Sequence, residues 1–451
     1  MNLDKSQKKT PKTGWHEQTQ SFFYSLELGW KSQLFVTTTG RNDWASQLAN
    51  SPQKSFFYPS VGVSWLPSST FNFPEKFNYL KIRASWASVA NPFPRELTIA
   101  THPYDDTISG WDDKSNYPIG QLYPERTKTW ELGFDARFLN GFTLTASWYR
   151  ADTYNQTFNP NLSASSGYSD IYIQTGHVRN TGVEASLGYN HQWKNWNWNS
   201  QFTFSWNKNK IIELCKEWYN PITEETITMN RLQISKLGRA KFILKEGGSM
   251  GDLYSTTDLR RDDIEIDEGG NVVVEDNLPD MKLGSVFPDY NLAWRNSVSW
   301  KNLNLGFLVT ARIGGIVNSL TQANMDLFGV SEATAAARDA GGALVNGRSL
   351  VNPETWYTAI ASQGGIPQYY TYSATNVRLQ ELSLGYTIPR KWLHNVCSIT
   401  VSFVGRNLWM MYCKAPFDPE AVASTNNFYQ GMDYFMMPST RNLGFNINIK
   451  F

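Results

Sequence analysis

The chain has 451 residues, a formal net charge of +1 and three cysteines, so neither charge nor composition points to nucleic acid or to a disulfide scaffold. Aromatic residues make up 14% of it while the mean hydropathy is −0.43, and no run approaches the roughly 20 apolar residues of a transmembrane helix. That leaves two or three ordinary soluble domains, or one large membrane β-barrel whose polar lumen face lowers the average.

The first residues, "MNLDKSQKKTPKTGW", are basic with no apolar stretch behind them, which excludes a secretory signal there. From residue 20 onward, apolar and polar residues alternate with period two in segment after segment. The alternation predicts about thirteen strands, centred near residues 26, 36, 62, 83, 133, 147, 186, 202, 294, 308, 383, 402 and 446. In "TWELGFDARF", Trp130, Leu132, Phe134, Ala136 and Phe138 share one face, and Glu131, Asp135 and Arg137 the other. "VEASLGY" sets Val183, Ala185 and Leu187 against Glu184. "WNSQFTFSW" sets Trp198, Phe202, Phe204 and Trp206 against Asn199, Gln201 and Thr203. "NLNLGFLVTARI" places Phe307, Val309 and Ala311 opposite Arg312, and Glu381 lies on the polar side of its segment. Clean faces fit a soluble sandwich and a lipid-facing barrel alike. Tryptophan and tyrosine at segment ends (Trp30, Trp65, Trp130, Trp148, Tyr189, Trp206, Trp300) favour membrane girdles.

The connections carry more information. Short turns at Lys31-Ser32, Asn140-Gly141, Lys194-Asn195 and Lys301-Asn302 alternate with long polar loops near 41–54, 91–126, 157–177, 208–284, 319–373 and 411–437. Short turns on one rim and long loops on the other are the pattern of an outer-membrane barrel. The reading is therefore an all-β chain: an antiparallel transmembrane β-barrel with short periplasmic turns and long extracellular loops. Residues 1–19 form an extracellular segment and 20–451 the barrel portion. Part of 324–346 is expected to form a short helix within a loop. An odd strand count puts the two ends on opposite sides of the membrane, which implies a piece of a larger barrel divided in an extracellular loop.

On this reading the lumen-facing charges are Glu131, Asp135, Arg137, Glu184, Arg312 and Glu381, placed to hydrate and tune a channel. The loops hold Trp111, Tyr117, Trp218, Tyr219, Trp356, Tyr357, Tyr369, Tyr370, Phe428, Tyr429 and Tyr434, rings that could stack on a substrate, contact a partner or pack the loops. The acidic stretch 262–276, with Asp263, Glu265 and Asp267, distantly resembles a calcium loop. Its spacing suits a hairpin turning at Gly269-Gly270 better, and no cofactor is expected. No nucleophile elbow, phosphate loop or metal triad is present, and Cys215, Cys397 and Cys413 lack metal spacing, so no enzyme activity is expected.

Several segments together resemble the C-terminal barrel part of SusC/RagA-type TonB-dependent transporters of Bacteroidetes: "FFYPSVGVSWL", "YLKIRASWASVAN", "LYPERTKTWELGFDARFLNGFTLTASWYRADTYNQ", "VRNTGVEASLGY", "LQELSLGYTIP" and "RNLGFNINIKF". The resemblance implies an outer-membrane barrel of about 22 strands, a plug, a TonB-binding segment, import of glycans or peptides, and a SusD-type surface lipoprotein as lid. The closing Phe445, Ile447, Ile449 and Phe451 resemble the signal read by the barrel-insertion machinery. The plug, the TonB segment and the first strands would then lie outside this chain, and TonB would act only through them. Two other readings are a barrel that binds without transporting and, behind it, a soluble β-rich carbohydrate-binding protein.

Overall fold

The computed structural model describes residues 16–49, 51–94, 97, 104–105, 110–111, 116–117, 122–158, 170–174, 176–220, 224–237, 239–259, 264–345, 347, 349–424 and 430–451. Thirteen strands form one antiparallel sheet in chain order. They are β1 (Thr19–Trp30), β2 (Leu34–Ala45), β3 (Phe56–Trp65), β4 (Phe77–Asn91), β5 (Glu125–Phe138), β6 (Phe142–Tyr154) and β7 (His177–Trp193). After these come β8 (Trp196–Glu213), β9 (Tyr290–Trp300), β10 (Leu303–Ile313), β11 (Asn376–Ile388), β12 (Ser398–Cys413) and β13 (Asn442–Lys450). Every segment centre read from the alternation falls inside one of them. Among the described residues β1 pairs only with β2 and β13 only with β12, and both strands are exposed along their whole length.

Connections alternate between two rims as expected, although 66–76 and 389–397 on the short-turn rim are about as long as 46–55 on the other. Residues 31–33, 66–76, 139–141, 194–195, 301–302 and 389–397 form one rim, and 46–55, 92–124, 155–176, 214–289, 314–375 and 414–441 the other. Two hairpins close one residue wider than the sequence suggested, at Trp30↔Leu34 and Phe138↔Phe142. Their turns hold successive residues in the left-handed region, Lys31 and Ser32 at φ 50° and 54°, Leu139 and Asn140 at φ 50° and 49°.

The outward face is apolar and uncovered: Leu132, Phe134, Leu305 and Ile447 are 54%, 36%, 43% and 55% exposed. Water would make this exposure costly, whereas hydrocarbon makes it favourable. On the short-turn rim the outward rings meet in a chain. Phe77 stacks on Phe138 at 6.2 Å, Phe138 on Phe142 at 5.7 Å, and Phe142 lies 4.5 Å from Tyr189. Tyr189 meets Trp198 at 5.1 Å, and Trp196 stacks on Trp300 at 5.6 Å. Eight residue steps separate Phe138 from Trp130 near the other rim, roughly 20 Å of height for a tilted strand. That matches the apolar band of an outer-membrane barrel.

The hydrophobic cores sit mainly in the long-loop layer. Three helices, α1 (Leu320–Leu327), α2 (Glu332–Asp339) and α3 (Pro353–Ala361), are each N-capped by a side chain: Ser319 accepts from Gln322 N, Ser331 from Thr334 N, and Asn352 from Glu354 N. They enclose Ala323, Ala337, Trp356, Ile360, Ile366 and Tyr370. A four-stranded loop sheet (Arg231–Leu237, Ala240–Lys245, Asp252–Ser255, Met281–Ser285) buries Phe242 and Leu253 against Leu320 and Met432.

Candidate functional site

The inward face of the sheet is built from polar rows that cross many strands. One row runs Ser64–Arg83–Gly133–Ser147–Glu184–Ser205–Asn291–Arg312–Asn376, residue opposite residue from β3 to β11. The next runs Lys81–Asp135–Thr145–Ser186–Thr203–Ala293–Thr310–Arg378. Period-two alternation makes these rows inevitable once register is fixed, because every second residue of each strand must face the same way.

Both rows line a cavity of about 740 Å³, to which Arg83, Glu131, Glu184, Arg312 and the loop residue Glu420 all contribute. Arg83 lies across Gly133, opposite it in register, and binds the carboxylates on either side. Its Nη1 is 2.7 Å from Asp135 Oδ2 and its Nε 3.7 Å from Glu131 Oε1. Thr145 Oγ1 donates to the other Asp135 oxygen at 2.9 Å. A Cβ at position 133 would stand 2.8 Å from Arg83 Nε, so glycine keeps this bridge in place.

Near the long-loop rim a second cluster ties loop to wall. Arg378, 4% exposed, gives Asp418 two hydrogen bonds, 2.8 and 3.2 Å, and donates Nε to Asn376 Oδ1 at 3.1 Å. Asn376 Nδ2 holds Glu420 Oε1 at 3.2 Å, and Arg312 Nη2 donates to Val286 O at 2.7 Å. Burial raises the Asp418 carboxyl, but hydrogen bonds led by that from Arg378 outweigh it and leave it below the usual carboxylate range. The cluster holds the 414–424 segment over the cavity.

The sequence-read charges divide as follows. Glu131, Asp135, Glu184 and Arg312 come together on the rows or the cavity wall. Arg137 sits lower, its guanidinium 4.9 Å over the Tyr79 ring. Glu381 pairs with Arg406 across β11 and β12 at 3.2 Å. Arg83, Arg378, Asp418 and Glu420 were not anticipated. Arg83 and Arg378 fall on polar positions of their strands, but nothing in a strand's own sequence names its cross-strand neighbours.

The loop rings divide too. Trp356 and Tyr370 are core residues, 6% and 2% exposed, and Tyr370 donates its hydroxyl to Asp326 at 3.1 Å. Burial and the Asp326 charge push that phenol far up. These two rings are occupied by packing and present no surface for stacking. Tyr369 packs edge-on to Trp356 at 5.3 Å yet stays 37% exposed, and Tyr357 lines a 280 Å³ loop cavity with Arg338 and Glu354. Tyr219 and Tyr434 are exposed. Phe428 and Tyr429 lie outside the described residues, as do the side chains of Trp111, Tyr117 and Trp218.

The acidic stretch forms a hairpin. Ile266 bridges Val272, Gly270 turns at φ +82°, and the Asp267 carboxylate accepts from Asn271 N at 2.8 Å. Asp263 is outside the described residues. Phe445, Ile447 and Ile449 line the outward side of the edge strand β13, and Phe451, exposed, follows its last residue.

Comparison with known proteins accords with this architecture. The family described as TonB dependent receptor-like, beta-barrel, matches residues 4–408. TonB-dependent receptor P3 of Formosa agariphila is 27% identical over 96% of this chain and 45% of its own length. TonB-dependent receptor SusC of Bacteroides thetaiotaomicron is 21% identical over 82% of this chain and 38% of its own length. The chain thus spans less than half the length of either relative. Among solved structures, the RagAB peptide transporter superposes with a TM-score of 0.73 at 18% identity, over 100% of this chain and 50% of that one. The chain belongs to the TonB-dependent receptor-like β-barrel family of the outer membrane.

Proposed function

We propose that this chain supplies the wall, the polar lumen and the external loop layer of a TonB-dependent importer for an oligomeric nutrient, a glycan or a peptide. The carrying observation is the pair of inward polar rows and the 740 Å³ cavity they line, inside a sheet whose other face is apolar. Rows of short hydroxyls with alternating charges give a hydrophilic oligomer many weak partners and no deep trap, which suits passage better than storage. Further strands meet the two exposed edges β1 and β13, since hydrocarbon leaves edge amides and carbonyls without partners. TonB acts through a plug that such a larger protein provides. A SusD-like lipoprotein docks on the long-loop side, where Tyr219, Tyr369 and Tyr434 are exposed.

The test is uptake by cells carrying the intact transporter with Arg83→Ala or Asp135→Asn. Uptake of the cognate oligomer falls about tenfold, equivalent to ~1.4 kcal/mol, with outer-membrane abundance unchanged. Uptake at the parental rate in both variants would remove the lumen bridge from the pathway. Comparing glycan and peptide oligomers in the same cells assigns the substrate class.

A further inference from the structure

We propose that the outward long-loop rim of β5–β8 is a binding site for a net-anionic lipid headgroup of the outer leaflet that bears a phosphomonoester. The inference rests on the barrel standing in the membrane with its long loops outside, and is independent of what the barrel imports.

Register lays the surface out in rows. The row Leu132–Trp148–Val183–Trp206 closes the apolar band. Directly above it, toward the long loops, runs Trp130–Arg150–Thr181–Lys208, and above that Lys128–Asp152–Arg179–Lys210. Arg126, Tyr154 and His177 follow. Within two residue steps of the tryptophans, then, the composition changes from wholly apolar to mostly cationic. Against six Lys and Arg side chains the same rows hold two carboxylates, Asp152 and, opposite His177, Glu213. Asp152 is the one enclosed by the cations. It is 6% exposed and held by Arg150 Nε at 2.8 Å, Arg179 Nε at 2.7 Å and His177 Nε2 at 2.5 Å. A buried acid gripped in this way orients the guanidinium groups and leaves a large positive excess.

Three observations favour a lipid as occupant. The patch is continuous with the lipid-facing band and sits at headgroup height, beside the interfacial tryptophans. It is local: elsewhere on the outward rim Trp44, Phe57, Tyr290, Ile313, Val377 and Tyr412 carry no charge. Lys128 on β5 and Lys208 and Lys210 on β8 are exposed at the two outer strands of four that span roughly 15 Å, the width of one or two headgroups. Cations on an interfacial outer wall have little to gain from the hydrocarbon below them. A phosphate at that height pairs with them, each cation adding attraction near an anionic surface.

The experiment uses the intact protein in nanodiscs of zwitterionic phosphatidylcholine alone or with one-fifth of phosphatidic acid as the phosphorylated lipid, with retained lipid counted by native mass spectrometry. The parent retains the phosphorylated lipid and exchanges it against phosphatidylcholine only slowly. The variant Lys128→Gln/Lys208→Gln/Lys210→Gln leaves the Asp152 cluster intact and retains at least about tenfold less, while its heat-modifiable migration is unchanged. Millimolar inorganic phosphate displaces little of the lipid. Equal retention by parent and variant, equal retention of both lipids, or full displacement by inorganic phosphate would each overturn the assignment.

Discussion

At the residue scale, single side chains decide what the scaffold can do. Gly133 is one: a Cβ there would stand 2.8 Å from Arg83 Nε, so any larger residue makes the guanidinium shift from its place between Glu131 and Asp135. Asp280 in the loop sheet is another. Its carboxylate takes Arg231 Nε at 2.6 Å and Nη2 at 2.9 Å, with Lys245 Nζ at 2.9 Å. The hydrogen bond from Arg231, joined by Lys245 and opposed by burial, holds its pKa well below the ordinary carboxylate value. A lowered folded pKa means stability that is fully present above the unfolded value of about 3.9 and is lost as pH falls below it. Asp280→Asn is expected to weaken the loop sheet by about 1–2 kcal/mol at neutral pH, discounted for the half-exposed Arg231. Limited proteolysis of the loop layer between pH 3 and 7 checks this. The parent grows more susceptible toward pH 3, and the variant is already susceptible at pH 7 with a flatter profile.

At the element scale, strands and loops obey different physics. A wall strand needs no core, because lipid covers one face and water the other, whereas the loop layer must bury its own. Trp356→Ala empties a core position between α1 and α3 and should cost that layer about 3 kcal/mol or more. Rapid protease cleavage within 314–375, with heat-modifiable migration retained, is the expected outcome. Loss of both together would mean that wall and loops unfold as one unit. The same difference explains what the sequence disclosed. The strands were legible because period two and the turn residues are local signals, and "FTLTASWYR" reads as β6 without help. The helix expected within 324–346 is two helices, α1 and α2. The nine-residue α3, "PETWYTAIA", lies within the 319–373 loop and is hard to tell from loop by sequence, because it is short and its rings resemble a binding surface. The four loop strands went unread because they are four to seven residues long and pair around bulges at Gln233/Ser235 and Leu253/Tyr254. The Arg83 bridge was hidden for another reason: β4 and β5 are joined by a long loop, so no hairpin fixes their register in advance.

At the scale of the whole molecule, one asymmetry organises everything described: apolar side chains outward, polar rows inward, cations above the outer girdle, and packed cores mainly in the loops. The strand count, the alternation of connections and the side of each loop were legible because they follow from that asymmetry. Which charges meet across the lumen was not, because it depends on register over nine strands. The most direct test is spin-label accessibility along β5 and β10 in lipid vesicles, with Cys215, Cys397 and Cys413 replaced and single cysteines placed at Leu132, Gly133, Phe134, Asp135, Leu305, Gly306, Phe307 and Leu308. Labels at 132, 134, 305 and 307 should respond to oxygen, and those at 133, 135, 306 and 308 to an aqueous nickel reagent, alternating residue by residue. Labels at 134 and 307 shielded from both reagents would mean a dry interior, and the membrane-barrel account would fail.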